Sequence, residues 1–186
     1  YIIYKVNRYD IKGKEYLKTG DKYYICDLGL RNYLLGEVRD RGKLLENLIQ
    51  KSLDDLYAND KYLIEHKVAE RDITHRFAYY FENNMQNTDV SSYNVDCEYN
   101  RDGYGKKQVY SNYVYPDFIL HKRGSNEDNL LIIEFKTWWN PNNDKDIEKI
   151  RCMMHPQLRY KYKYGCSITI NQDNSEIFWV DLEQFQ

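Results

Sequence analysis

The sequence predicts an α/β domain, and three patterns support that prediction. Apolar residues between positions 44 and 57 recur at the spacing of an amphipathic helix. The run Leu130 to Ile133 is continuously apolar, which is typical of a strand that is covered on both faces and central to its sheet. From about residue 65 onward, the patterns follow the order helix, three or four strands, helix and one or two strands. Such an order of elements predicts an α/β core.

The composition predicts a soluble globular protein, with 42% hydrophobic, 16% aromatic and 30% charged residues. A formal charge of -2 and a pI near 6.1 exclude a strongly basic nucleic-acid binder, so any nucleic-acid surface must be local. The four cysteines are scattered without a C-x-x-C pair, which argues against a zinc site and favours a reducing cytoplasm. No apolar stretch is long enough to predict a membrane span or a signal peptide.

The N-terminal segment predicts short strands and a helix. Tyr1 to Val6 is β-branched and aromatic, and a turn at Asp10 to Gly13 precedes Glu15 to Lys18, which predicts a short hairpin. A further strand is predicted at Lys22 to Asp27. A short helix is predicted at Leu28 to Leu35.

Two helical patterns follow. The first runs from Leu44 to about Tyr57, where leucine and isoleucine form one apolar stripe. Asn59 marks a break, and a second helical pattern extends from Val68 to Phe81.

The strands of the core are predicted from alternation and from apolar runs. Tyr93 to Tyr99 alternates polar and apolar residues as a half-buried strand, Arg101 to Gly105 is its turn, and Val109 to Tyr115 is predicted to pair back. Asp117 to His121 and Leu130 to Lys136 predict two strands joined by a polar loop.

The C-terminal part predicts a helix and two closing strands. The helix is predicted at Asp144 to Met154, and Gln157 to Tyr164 is predicted to continue or follow it as a helix. The closing strands are predicted at Ser167 to Ile170 and Ile177 to Val180.

Three charged residues are predicted to share one site. Glu134 and Lys136 are two apart on a predicted strand, so their side chains project from the same face. Asp117 directly follows Pro116 at the start of the preceding strand, and a hairpin-like return can bring it beside Glu134. Charges within an apolar strand are costly unless they are paired or bound to an ion. Carboxylate oxygens suit Mg²⁺, which makes Asp117 and Glu134 candidate metal ligands.

Two strings surround these residues: Tyr115-Pro116-Asp117-Phe118-Ile119 and Ile133-Glu134-Phe135-Lys136, with 16 residues between the two acids. Together they resemble the signature of the PD-(D/E)XK nucleases. The resemblance covers about residues 65–186. It implies a restriction-endonuclease-like core, in which helices flank a mixed central β-sheet, and a cofactor of Mg²⁺ or Mn²⁺. It also implies that Lys136 positions the attacking water and that the carbonyl of Phe135 is a further metal ligand. The alternative is a structural salt bridge on a hairpin.

Members of this family often add an acidic residue from the first core helix, and Glu70 is the candidate here. Glu70 falls on the same helical face as Ile73 and Phe77. The alternative is a capping or surface carboxylate near Arg71 and Lys67.

A run of alternating cations and aromatics is a candidate nucleic-acid contact. The run from Arg159 to Tyr164 has the composition of surfaces that hold phosphates and stack bases. We therefore predict Arg159, Lys161 and Lys163 as contacts, together with Lys149 on the preceding helix. The alternative is the amphipathic end of a helix whose tyrosines face the core.

The front of the chain resembles another family. Two strings of residues carry this resemblance: Lys22-Tyr23-Tyr24-Ile25-Cys26-Asp27-Leu28-Gly29-Leu30-Arg31 and Asp40-Arg41-Gly42-Lys43-Leu44-Leu45-Glu46-Asn47. They resemble the DUF4143 region that lies C-terminal to an AAA-type ATPase in many bacterial proteins. The chain is therefore expected to divide into a DUF4143-like segment, residues 1–50, which forms a β-hairpin/helix extension, and a nuclease-like domain, residues 51–186. A G-x-x-x-x-G-K-[ST] loop does not occur in the sequence, so nucleotide hydrolysis is not predicted.

These resemblances imply a cytoplasmic, Mg²⁺-dependent nuclease that hydrolyses DNA, with RNA as an alternative substrate and no membrane partner. One competing hypothesis is a catalytically silent nuclease-like module that binds nucleic acid or a protein. Another is a regulatory C-terminal part of an ATPase. Relatives that cut duplexes often dimerise, and the helix from Leu44 to Tyr57 could form such an interface, although we favour its packing on the chain's own core.

Overall fold

A computed structural model describes residues 41–109, 111–140 and 144–181, together with four short strands near the N-terminus. The chain forms two compact units, residues 1–51 and residues 52–186. In the first unit β1 (Ile3–Val6) lies N-terminal to β2 (Tyr9–Asp10), β3 (Glu15–Tyr16) and β4 (Lys22–Ile25).

The pairing of these strands differs from the predicted hairpin. β2 pairs with β3, whereas β1 pairs antiparallel with β4. The prediction that the first strand pairs with Glu15 to Lys18 is therefore wrong, because Glu15 and Tyr16 pair with β2. The predicted helix from Leu28 to Leu35 lies outside the described residues.

The first long helix, α1 (Arg41–Asn59), confirms the helix predicted from Leu44 to Tyr57. Its apolar stripe is buried, with Leu44 3% exposed and the others fully buried: Leu45, Leu48, Ile49, Leu53 and Leu56. The helix predicted from Val68 to Phe81 is confirmed as α3 (Glu70–Asn84), and a short helix that was not predicted, α2 (Lys61–Glu65), precedes it. Asn84 on α3 donates a hydrogen bond to the Asp55 carboxylate on α1 at 2.8 Å, which holds the C-terminal half of α1 against α3.

The strand β5 (Asn94–Cys97) confirms the predicted half-buried strand and is followed by two small hairpins. The hairpins pair β6 (Arg101–Asp102) with β7 (Gly105–Lys106), and β8 (Gln108–Val109) with β9 (Asn112–Tyr113). The segment after Val109 therefore pairs with its own neighbour. The prediction that it pairs back on β5 is wrong, because β5 pairs with a later strand.

The remaining elements complete a mixed sheet of five strands among the described residues. In chain order they are β10 (Phe118–His121), β11 (Leu131–Thr137), α4 (Asp144–Met154), β12 (Tyr164–Ile170) and β13 (Ser175–Trp179). The strand order is β13-β12-β11-β10-β5. Only β11 and β12 run parallel, joined across α4, and the other pairs are antiparallel. The predicted mixed sheet flanked by helices is confirmed, and β11 is its buried central strand.

The two helices α3 and α4 lie on opposite faces of this sheet. Neighbouring residues of a strand point to opposite sides, so the contacts of β11 with each helix show which face that helix covers. Phe135 on β11 packs against Phe77 on α3, with ring centroids 4.9 Å apart. Ile132 points to the other side and packs in a cluster with Ile150 of α4.

The segment from Gln157 to Tyr164 is not helical, so that prediction is wrong. Tyr160 and Tyr162 are buried while the cations Arg159, Lys161 and Lys163 are exposed, a burial period of two rather than that of a helix. The expectation that tyrosines of this run face the core is confirmed for Tyr160 and Tyr162.

Cys97 and Cys166 are free thiols. Within the described part of the chain, no helix combines the length and the apolar character that crossing a membrane requires.

Candidate active site at the end of the central strands

The strand register places the two predicted acids side by side. Phe118 pairs with Ile133, and the same antiparallel register continued by one residue sets Asp117 opposite Glu134. Directly opposed residues of neighbouring strands point to the same face of a sheet. The Asp117 carboxylate also accepts a hydrogen bond from the Phe135 amide at 2.8 Å, which holds Asp117 against β11.

Lys136 connects this pair to both flanking helices. Its ammonium nitrogen lies 3.2 Å from Oε1 of Glu70, the first residue of α3, and 3.0 Å from Oδ2 of Asp146, in the first turn of α4. It also donates to the carbonyl of Phe135 at 2.8 Å. Three acceptors therefore hold one ammonium group at the C-terminal end of β11.

Lys149 on α4 is the second cation of the site. Its ammonium group contacts the Glu134 carboxylate at close range, lies 3.9 Å from Oδ1 of Asp146, and donates to the carbonyl of Tyr115 at 3.4 Å. Lys149 thus balances part of the charge of Glu134 in this structure.

The cluster formed by these residues has more negative than positive charge. Four carboxylates, those of Glu70, Asp117, Glu134 and Asp146, face two ammonium groups, those of Lys136 and Lys149, which leaves two formal negative charges uncompensated. We call these six residues the acidic cluster. The Glu134 side chain is 1% exposed, and Oε1 of Glu134 and Oε2 of Glu70 are buried without a hydrogen-bond partner among the described residues. Buried acceptors without partners are costly.

The electrostatics of the cluster follow from burial and mutual repulsion. Burial raises the pKa of Glu134 well above its ordinary value, and the charge of Asp117 raises it further, against the opposing effect of Lys149. Burial also raises the pKa of Asp117 and of Glu70, although the Phe135 amide and Lys136, respectively, oppose the increase. Burial lowers the pKa of Lys136, but Asp146 and Glu70 raise it to above its ordinary value overall. A cation in the cluster would relieve the repulsion between the carboxylates.

The residues of the acidic cluster fit a divalent cation in charge and in donor type. The uncompensated charge is that of one divalent ion, and oxygen donors without partners are available on Glu134 and Glu70. The described residues contain no group of three or more His, Cys, Asp or Glu side chains arranged to hold a metal. Mg²⁺ needs no such group, because it is commonly held by one or two carboxylates and keeps several waters.

A cleft of about 410 Å³ opens beside the cluster. Glu70 and Asp117 line it, together with Thr74, His75 and Glu98. Glu98, which directly follows β5, is exposed. The cleft therefore adjoins two of the four acidic residues of the cluster.

The structure brings most of the predicted site residues together. Glu70, Asp117, Glu134, Phe135, Lys136 and Lys149 meet within the network of contacts described above. Asp146 was missed by the sequence analysis, although its spacing of three from Lys149 on a helix placed both side chains on one face. Ser167 was also missed; it is aligned with Glu134 on β12, is buried, and its hydroxyl has no partner among the residues described.

The other predicted nucleic-acid contacts lie away from the acidic cluster. Lys161 and Lys163 precede β12, whose first residue, Tyr164, is aligned with Leu131 at the opposite end of β11 from Lys136. Arg159 lines a second pocket and pairs with Asp102 at 2.6 Å. A role for these three cations in binding nucleic acid stays a prediction.

Comparison with known proteins adds little to this geometry. No family model matches the chain, and no solved structure matches it. An uncharacterized protein of Haemophilus influenzae is 44% identical over 50 residues, which are 26% of this chain and 12% of that protein. The chain therefore matches only a small part of that relative.

Proposed function

We propose that this chain is a Mg²⁺-dependent nuclease with a restriction-endonuclease-like core that hydrolyses phosphodiester bonds of DNA. The observation that supports this most is the buried, incompletely compensated Glu134 carboxylate, set opposite Asp117 and followed two residues later by Lys136. The pairing of β10 with β11, followed by α4 and a parallel strand, is consistent with the core that the PD-(D/E)XK resemblance implies.

Each residue of the acidic cluster has a role in this proposal. Asp117, Glu134 and the carbonyl of Phe135 would hold the ion, with Glu70 as an auxiliary ligand. Mn²⁺ is the natural substitute for Mg²⁺ at such oxygen donors. When bound, the ion neutralises negative charge that develops on the phosphate oxygens. The contacts of Lys149 with Glu134 and of Lys136 with the Phe135 carbonyl would have to change for these oxygens to become ligands.

Lys136 and Lys149 supply the chemistry of this chain's own side chains. Lys136 positions the attacking water, and Glu70 and Asp146 on the two helices keep its ammonium group in place. Lys149, once released from Glu134, faces the phosphate. The water oxygen forms a bond to phosphorus, a phosphorus–oxygen ester bond breaks, and the products are a phosphate monoester and a hydroxyl.

A second candidate function is a nuclease-like module without catalysis, which binds nucleic acid or a protein partner. The contact between Lys149 and Glu134 favours it, because an ammonium group then balances part of the charge of the buried carboxylate without a metal ion. Removal of one partner from a buried ion pair destabilises the fold. If the pair of Lys149 and Glu134 is purely structural, substitution of either residue would lower the free energy of unfolding and affect no reaction.

The sequence of the N-terminal unit supports a third proposal, that the chain is the C-terminal regulatory part of a DUF4143-type ATPase. The strings in residues 22–47 are its only support. It is tested by whether the coding sequence upstream of this chain supplies a P-loop.

A cleavage assay separates the first two candidates. The purified chain is titrated with Mg²⁺ and with Mn²⁺ in the presence of supercoiled plasmid and of single-stranded circular DNA. The nuclease is supported if nicking depends on the ion and if Glu134→Gln lowers the rate of nicking at least about 10³-fold. That factor corresponds to an increase of about 4 kcal/mol in the activation free energy. The matched control is Glu82→Gln, at an exposed position of α3, which should leave the rate unchanged. If the Glu134→Gln variant still cleaves DNA, the proposed site is contradicted. If the native chain does not cleave DNA with either ion, the module without catalysis is supported.

A further inference from the structure

A second pocket lies at the opposite end of β10 from the acidic cluster. Asp117 precedes β10 and His121 ends it, and both point to the α4 side of the sheet. Four residues of strand separate them by about 13 Å. The pocket, which we call the lysine pocket, has a volume of about 230 Å³ and is lined by Arg101, Asp102, Lys107, His121 and Arg159, with the turn at residues 124–126.

Lys107 is the central group of the lysine pocket. Its residue is 1% exposed, and its ammonium group donates a hydrogen bond to the carbonyl of Arg101 at 3.0 Å. The nitrogen lies 4.9 Å from the ring centroid of Tyr99 and 5.5 Å from that of Tyr160. An ammonium group has three donors, so the described contacts leave this cation with capacity for further acceptors.

The charges around Lys107 favour an anion. Three cations, Arg101, Lys107 and Arg159, line the pocket, whereas Asp102 is the carboxylate among its lining residues. Asp102 is already engaged, since it accepts from Arg159 at 2.6 Å and from Asn126 at 2.7 Å. His121 faces Asp96 at 2.9 Å, and Arg123 binds the same carboxylate.

We propose that the lysine pocket binds a phosphate group, with Lys107 and Arg101 as its main donors. A phosphate offers several acceptor oxygens to converging donors, and guanidinium groups match its geometry. The pocket volume of about 230 Å³ equals the volume that roughly eight water molecules occupy in the liquid, which is enough for a phosphate with part of its ester. Burial lowers the pKa of Lys107 to about 8, against the opposing effect of Asp102 and Asp96, so its charged form lacks full compensation.

The shared chemistry has two sources, a small phosphate compound or the backbone of a polynucleotide. On the proposed nuclease function, a strand cut at the acidic cluster would place another of its phosphates in the lysine pocket. A distance of about 13 Å along the axis of a B-form duplex spans about four phosphates of one strand. This second step rests on the proposed function, whereas the binding of phosphate does not.

Titration calorimetry with inorganic phosphate, on the full chain without a divalent ion, tests the pocket. We expect saturable binding that Lys107→Met and Arg101→Gln each weaken by about tenfold. The control Lys106→Met removes the neighbouring exposed cation and should bind phosphate as the native chain does. Arg101 is exposed, so its variant keeps the test valid if Lys107→Met fails to fold. Absence of saturable binding, or equal binding by the native chain and Arg101→Gln, overturns the proposal.

A second arm identifies the source of the phosphate. Short DNA strands are bound without metal, and the same variants are compared with the control. Weaker DNA binding in Arg101→Gln, but not in Lys106→Met, assigns the pocket to the substrate strand. If Arg101→Gln loses inorganic phosphate binding but binds DNA as the native chain does, the pocket is a site for a small phosphate compound. That result overturns the assignment of the pocket to the substrate strand. Cleavage at the acidic cluster is scored separately with Glu134→Gln, so failure of either site is seen independently of the other.

Discussion

The two faces of the central sheet satisfy their side chains in different ways. On the α3 side the rings of Phe77, Phe118 and Phe135 are fully buried, and Phe77 lies 5.4 Å from Phe118 and 4.9 Å from Phe135. On the α4 side Glu134 is equally buried but keeps an acceptor without a partner among the described residues. Glu134 and Phe135 are neighbours in sequence. Near its C-terminal end β11 therefore packs an aromatic ring against α3 and places a charged side chain on the α4 side, which predicts that stability and the proposed chemistry can be changed separately.

The largest effect is expected from the aromatic face. Phe77→Ala should lower the free energy of unfolding by about 3–5 kcal/mol, because it removes a buried ring and leaves a cavity. Urea denaturation followed by tryptophan fluorescence measures it. The control Tyr79→Ala changes a ring on the same helix that is 49% exposed, so its cost should stay near or below about 1 kcal/mol. Equal costs for the two variants would contradict the difference between the faces.

Substitutions in the acidic cluster should change the rate of the proposed cleavage. Lys136→Met should reduce Mg²⁺-dependent cleavage by about 10²–10³-fold, the usual cost of removing one positioned donor from a reacting phosphate site. Plasmid cleavage under single-turnover conditions measures it. Lys145→Met, at an exposed position of α4, is the matched control. Equal cleavage by the Lys136 variant and the native chain would remove this residue from the mechanism.

The approach of α4 to the sheet is tested at Gly165. A Cβ there would lie 2.5 Å from both the Ile150 side chain and the Met154 sulfur, so α4 must move away or its side chains must repack. Gly165→Ala should cost about 1–3 kcal/mol in thermal or urea unfolding. Gly105→Ala is the control, because a Cβ there meets only an ordinary contact at 3.5 Å. If both variants unfold alike, close packing of α4 does not limit stability.

The smallest effect concerns Asp96, at the β5 edge of the charged face. Burial raises the pKa of Asp96, but hydrogen bonds from His121 and Arg123 lower it to below its ordinary value of 3.8. Because the folded pKa is lower than the unfolded one, the stabilisation is complete above about pH 4 and is lost as the pH falls through the folded value. Asp96→Asn should therefore cost about 1–2 kcal/mol at neutral pH and progressively less in acid.

Urea unfolding of the native chain and of Asp96→Asn between pH 7 and pH 2.5 checks this prediction. The control is Asp89→Asn, which changes an exposed carboxylate. A difference between the native chain and Asp96→Asn that stays constant across this pH range would show that the ionised carboxylate is not what stabilises this edge.

Features that depend on neighbouring residues were predicted well. Glu134 and Lys136 share a face because the strand repeats every two residues, and the burial of β11 follows from its apolar run. The placement of Asp117 beside Glu134 was also predicted, because the loop between β10 and β11 allows a direct antiparallel return.

Features that depend on how distant segments meet were predicted less well. The run from Arg159 to Tyr164 alternates cations and tyrosines with a period of two, which is the period of an extended segment, so the helix prediction was wrong. The partner of β5 was missed because several short segments could pair with it, and the choice of β10 depends on the whole sheet.

By itself the amino-acid sequence determined an α/β chain with a central buried strand, and two charged residues on one face of that strand. These are properties of chain periodicity and apolar content, which act over a few residues. Only the tertiary structure decided that Glu70 and Asp146, on two different helices, form ion pairs with Lys136 and that Lys149 pairs with Glu134. Those contacts depend on how closely α3 and α4 approach the sheet. That distance is set by the shape and volume of the packed side chains, which no local pattern records.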